Sequence, residues 1–231
     1  MGEYLGDLKK TEIIDELFKI PREQRDEEWT KKFLENVGDA SFRCGDPQTI
    51  LGPDSFPYFS LYLPEPYKEF QCYVLQHMKD DFLLEKGLGV VFNSNGGSAD
   101  WVFTYGDIVN YFLNGKFYTP ELNPPEAPEE KSPMNILVGQ PSETYLPKAV
   151  RNVLKNYLVS VGISVPQVFL STRKSGDSMM QELVFDFTPD MFASPDAFES
   201  VMNRIAWFLP RHYSYATSPK TASFGASFMP L

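Results

Sequence analysis

Cysteine and histidine are nearly missing from this chain, with two of each in 231 residues. That scarcity removes several kinds of chemistry. Cys44 and Cys72 have no C-x-x-C or H-x-x-x-H neighbour, so neither belongs to a zinc-type motif. A secreted disulfide scaffold would also carry more cysteine. They read as two reduced, buried thiols. Nucleophilic catalysis needs a nucleophile beside an oriented base. His77 lies in an amphipathic segment and His212 at the start of a strand, and no G-x-S-x-G elbow accompanies either. A calcium loop of the D-x-D-x-D-G type is also missing. The glycine clusters GLG (87–89) and NSNGGS (93–98) fall between helix and strand and between two strands. A phosphate cradle must instead lead into a helix N-terminus. No catalytic residue, metal or cofactor is assigned.

Long apolar runs are absent too. Nothing approaches the roughly 18–20 residues that span a bilayer, and the opening MGEYLGDLKKTEIIDEL is too acidic and polar for a signal peptide. The expected location is the cytoplasm. Basic residues are outnumbered 21 to 31, giving a net charge of −10. Such a chain repels phosphate backbones and anionic lipid headgroups. Nucleic acid and membrane surfaces are therefore not expected partners, and a basic protein is.

What the chain does contain is ring surface: 19 Phe, 12 Tyr and 3 Trp. Such side chains dominate the energetics of cores and interfaces. With 42% hydrophobic and 23% charged residues, most of the chain is expected to be ordered. The segment 119–133, TPELNPPEAPEEKSP, has five prolines, four glutamates and no hydrophobic period, and reads as an extended linker. It separates an acidic N-terminal α+β domain (1–118) from a nearly neutral C-terminal domain (134–231). Residues 1–120 hold 12 basic and 20 acidic groups, net −8, whereas residues 134–231 hold 8 and 7, net +1.

In the first part, hydrophobic spacing predicts a helix over 11–20 capped by Thr11, and a second from Pro21 to Gly38 with Trp29, Phe33 and Val37 inward. Strands are expected near 40–43, 56–63, 88–93 and 100–105, forming an antiparallel sheet in which SNGGSA turns a hairpin. A helix is expected between 70 and 86, and another over 107–114 closed by Gly115. The second part reads strand 135–139, helix 147–161, strands 167–173 and 182–188 around KSGDS, a helix opened by Ser194 and Pro195, and strand 213–216. That order, β-α-β-β-α-β, predicts a ferredoxin-like domain. The expected class is α+β.

Two stretches are candidates for partner contact. GPDSFPYFSLYLPEP (52–66) sets Phe56, Tyr58, Phe59 and Tyr62 among four prolines, which predicts an edge strand or an aromatic loop. Either a partner-binding edge or an ordinary buried strand accommodates it. TASFGASFMPL (221–231) presents Phe224 and Phe228, for a partner or for its own sheet. Asp100, Asp107, Asp186 and Asp190 are carboxylates that folding could bring together. The pairs Asp80, Asp81 and Glu27, Glu28 read as solvated helix faces.

The segments ILVGQPSETYLPKAV, PQVFLSTRK and QELVFDFT, followed by a helix and a strand, resemble the C-terminal domain of the SseB (enhanced serine sensitivity) family. The likeness covers residues 134–231 and implies a bacterial cytoplasmic accessory protein, with no catalytic residues to transfer. The expected function is accordingly a non-enzymatic accessory or regulatory protein acting through protein–protein contact. An immunity-type protein that neutralises a basic toxin, and a small-molecule binder or enzyme with a site between the domains, are the alternatives.

Overall fold

Asp7 opens the first helix, four residues before the expected Thr11. In the computed structural model, which describes residues 5–93, 98–119, 136–175 and 178–231, α1 runs Leu8–Lys19. The Asp7 carboxylate accepts from the amides of Lys9 and Lys10, satisfying two of the donors a helix start leaves open. Thr11 instead donates its hydroxyl to the Asp7 carbonyl and accepts the Ser41 amide. After a 3-10 turn at Arg22–Gln24, α2 (Glu27–Asn36) starts at Asp26, whose carboxylate accepts from the Trp29 amide. Gly38 serves space rather than termination: a Cβ there would lie 2.3 Å from the Tyr111 hydroxyl.

The chain divides into two compact units, Met1–Phe117 and Tyr118–Leu231. The expected linker falls almost entirely outside the described residues, as does most of the SNGGSA turn.

In the first unit, β1 (Arg43–Leu51), β2 (Pro57–Tyr62), β3 (Gly89–Phe92) and β4 (Trp101–Phe103) form one sheet in that order. The sheet is mixed, not antiparallel. β1 with β2 and β3 with β4 are antiparallel, whereas β2 and β3 are parallel. The helical run between them is the reason, because parallel neighbours need a crossover. That run comprises α3 (Leu75–Met78), a π-helical turn (Lys79–Leu83) and α4 (Leu84–Lys86), ended by Gly87 at φ 66°. β1 starts at Arg43, where the strand expected over 40–43 was to end, and a bulge within it absorbs Gly45 to Gln48, including the cis Asp46–Pro47 bond; Ala40 and Phe42 make only isolated bridges. Proline is tolerated on such an edge. α5 (Tyr105–Asn114) begins with a capping box between Thr104 and Asp107 and ends at Gly115.

By strand alternation, Phe59, Leu61, Val90, Phe92, Trp101 and Phe103 share one face. The helices lie against it. Phe33, fully buried, sets its ring 4.9 to 6.1 Å from Trp101, Phe92 and Phe103, and Phe82 of the π turn reaches Phe59 at 5.2 Å. On the other face Tyr58 crosses Gly89 so closely that a Cβ would lie 2.6 Å from its ring.

The second unit contains β5 (Ile136–Gly139), α6 (Lys148–Ser160), β6 (Gln167–Ser175), β7 (Ser178–Phe185), α7 (Pro195–Ile205), β8 (Ser214–Thr217) and β9 (Met229–Pro230). Ser194 caps α7 as expected, its hydroxyl accepting from the Ala197 amide. The elements follow the expected order along the chain and the class is α+β. The strand order across the sheet, β5-β6-β7-β8, departs from a split βαβ arrangement. β5 and β6, joined through a helix, are antiparallel neighbours, and β7 and β8 are parallel neighbours with no strand between them.

Val168, Leu183, Phe185 and Tyr215 share one face of this sheet. The Tyr215 hydroxyl donates to the Met202 carbonyl of α7, which marks that face as the helical side. Phe169, Val184 and Val138 lie on the other. β7 borders β6 from Val168 to Ser175, so β5 and β9 lie end to end along its opposite side, against 170–173 and 167–168 respectively. The Gln140 side-chain amide spans the junction, donating to the carbonyls of Val168 and Ser227 at 3.1 Å each.

Candidate functional site

The aromatic residues singled out in the sequence are mostly interior. β2 lies between β1 and β3, which corrects the expectation of an edge strand or loop. Pro57 fits because it is the first residue of the strand. Phe56, Tyr58 and Phe59 are buried and Tyr62 is half-buried. The Tyr58 hydroxyl donates to Asp54 at 2.5 Å, and Tyr62 carries the Arg43 guanidinium over its ring at 4.9 Å. Phe228 is buried against Phe169 and Val184, whereas Phe224 is exposed.

Each of the four aspartates has its own structural partner. Asp100 binds Arg25 at 2.7 Å and accepts from Asn93 at 2.8 Å. Asp107 accepts from the Thr104 amide. Asp186 accepts from the Gln167 amide at 2.7 Å and pairs with Lys220 at 2.9 Å, while Asp190 accepts from the Thr188 hydroxyl. Both cysteines are free and half-buried rather than buried. Gln48 donates to Cys44 Sγ and to the Tyr73 hydroxyl. The His212 imidazole meets the Tyr213 ring edge-on, and burial lowers its pKa. Among the described residues, no set of three or more His, Cys, Asp or Glu side chains converges for a metal, and no helix is long and apolar enough to cross a membrane.

One constellation was not legible in the sequence. Lys79, which opens the π turn, is 8% exposed. Its ammonium pairs with Asp80 and lies 5.9 and 5.8 Å from the ring centres of Tyr111 and Phe112 on α5. The Tyr111 hydroxyl donates to Gln76 Oε1 at 2.5 Å, and the Gln76 amide donates to the Gly38 carbonyl. Beside Gly38, Asp39 pairs with Lys10 of α1. Burial raises the Tyr111 pKa, and the charges of Asp39 and Asp80 add to the effect.

Each carboxylate is tied to its lysine through Oδ2, while its side chain stays 48% exposed for Asp39 and 50% for Asp80. The Oδ1 atoms make no hydrogen bond among the described residues. Two half-exposed carboxylates, each with one oxygen to spare, can accept a guanidinium or an ammonium. Asp80 and Asp81 are both exposed, as expected of a solvated helix face. Lys79 beside them is the buried exception, and it opens a π turn, a feature often found at functional sites.

Burial, with Asp39 and Asp80 adding to it, pushes Tyr111 up to about 12. Burial and Glu182 bring Tyr145 to about 12, and burial also raises Tyr105 and Tyr213. A phenol with a raised native pKa keeps its proton in the folded state after the unfolded chain has lost it. Its contribution is complete below about pH 10 and disappears as pH rises toward 12. Spectrophotometric titration should therefore show these phenols ionising above the ordinary range, with stability falling over the same interval. Ionisation of all twelve tyrosines near pH 10 in the folded protein would contradict this.

No family, curated protein or solved structure matches this chain.

Proposed function

We propose that the chain is a non-enzymatic accessory or regulatory protein that binds another protein, and that the first unit engages a basic partner through Asp39 and Asp80. The observation that carries this reading is the pair of half-exposed carboxylates held by Lys10 and Lys79. Because the lysines already fix both side chains, an incoming arginine or lysine meets acceptors with little left to order. The net charge of −8 over residues 1–120 steers such a partner toward the unit.

Neutralisation of a basic toxin is one specific form of this activity. The SseB resemblance of residues 134–231 supports a bacterial accessory role.

The test compares wild type with the D39N/D80N double variant in pull-downs from the native host. A basic protein captured by wild type should bind the variant about tenfold or more weakly, and wild-type binding should weaken as salt rises. Equal capture by both proteins, or binding indifferent to salt, would sink the reading.

A further inference from the structure

On the face of the second unit's sheet opposite α7, the chain covers part of the sheet with its own residues 218–231. Phe228, 8% exposed, lays its ring 4.7 Å from that of Phe169 and packs on Val184 and Val138. Beyond it, Met229 and Pro230 pair with Val168 and Gln167 on β6, and the Leu231 amide donates to the Pro166 carbonyl. At the other end of the segment, Lys220 reaches the buried Asp186. Between these two anchors, residues 221–224 and 226 are exposed. The backbone here bonds in local turns, Ala222 to Pro219, Gly225 to Ala222 and Ser227 to Phe224.

The attachment thus consists of the inserted Phe228 ring, the buried Leu231 with its amide on Pro166, a two-residue strand, single hydrogen bonds from Gln140 to the Ser227 carbonyl and from the Ser218 amide to the Phe185 carbonyl, and one ion pair whose lysine is half in water. What lies beneath has the features of a peptide-accepting site. It offers an apolar slot over Phe169, Val184 and Val138, and a β6 edge able to pair with an added strand.

We infer that the 218–231 segment is a displaceable strap over a strand-addition site, and that an extended peptide from a partner protein, with an aromatic residue two positions before a proline, takes its place. The segment displays that chemistry in Phe228-Met229-Pro230. The ring enters the slot and the next two residues pair with the strand. Proline is acceptable because this is an outer strand. Occupation of the slot by the chain's own segment lowers the apparent affinity for any competitor by the fraction of time the slot is open.

The test uses a labelled synthetic peptide with the sequence of residues 221–231. A chain ending at Thr217 should bind it at least tenfold more tightly than the full chain, and a peptide with Phe228→Ala should not bind. In the full chain, Lys220→Gln should strengthen peptide binding severalfold by releasing one anchor. If the shortened chain does not fold, Phe228→Ala in the full chain empties the slot and should give the same gain in peptide affinity. Equal binding by the full and opened proteins, or none by a folded opened protein, overturns the inference. A dimer of the full chain that exchanges these segments would make a second copy the occupant and overturn the partner-peptide reading.

Discussion

Phe33→Ala should destabilise the first unit by about 3–5 kcal/mol, the range for removing a fully buried ring that its surroundings cannot refill. Phe33 is 0% exposed and is shared by both layers of the unit. From α2 it stacks on Trp29 at 5.2 Å and approaches Phe18 of α1 at 5.7 Å. From the sheet it meets Phe92, Trp101 and Phe103. Collapse into the space left by the ring would require helices and sheet to move together, so the cavity persists. Urea unfolding followed by tryptophan fluorescence measures the loss, since Trp29 and Trp101 line the cluster. A loss below about 1 kcal/mol would mean that the cluster repacks. Leucine should recover part of the stability by restoring volume without the edge-to-face geometry.

Arg25→Ala is expected to cost about 3 kcal/mol, the low end of the range for breaking a buried ion pair. The Arg25 side chain is 10% exposed and that of Asp100 22%, so the abandoned carboxylate regains some water. The guanidinium does more than pair. It donates to the carbonyls of Ile20, Phe18 and Asp100 and lies 4.7 Å over the Trp29 ring. It thereby ties the turn between α1 and α2 to the strand entering β4. Arg25→Lys should recover little, because an ammonium cannot reproduce the planar fork. The sharper measurement is a double-mutant cycle. R25M/D100L should be less destabilised than either single variant, since removing both charges leaves none buried alone. A double variant whose loss equals the sum of the singles would exclude coupling between the two side chains.

Where a local pattern had one physical solution, the sequence was readable. Ser194 followed by Pro195 could only open a helix economically, and Gly115 after a helical stripe had to take a left-handed cap. The readings that needed correction depended on distant parts of the chain. Thr11 has the chemistry of a cap, yet Asp7 holds that position because Ala40 forms a bridge with it. Gly38 resembled a helix terminator, while its role is to admit Tyr111, 73 positions later. The parallel pairing of β2 and β3 follows from the helix between them, whereas strand periodicity by itself carries no information on direction. The Asp39–Asp80 arrangement was hidden for the same reason. Spacing can show that Lys79 falls on a helix, but not that a π turn and two aromatic rings keep it out of water.

The end-to-end placement of β5 and β9 also bears on the order in which the second unit assembles. Met229 continues, across the junction spanned by Gln140, a strand line that the chain left at Gly139, 90 positions earlier. The nearest β6–β7 pair, Ser175 with Ser178, is three positions apart in the chain, whereas the pairing of Val168 with Met229 joins residues more than sixty positions apart. Loop-closure entropy rises with that separation, and non-local pairings are the slow ones. The sheet therefore nucleates at its centre and finishes at the outer side of β6, so the row of bare amides and carbonyls there is the last part of the unit to be covered as the protein folds.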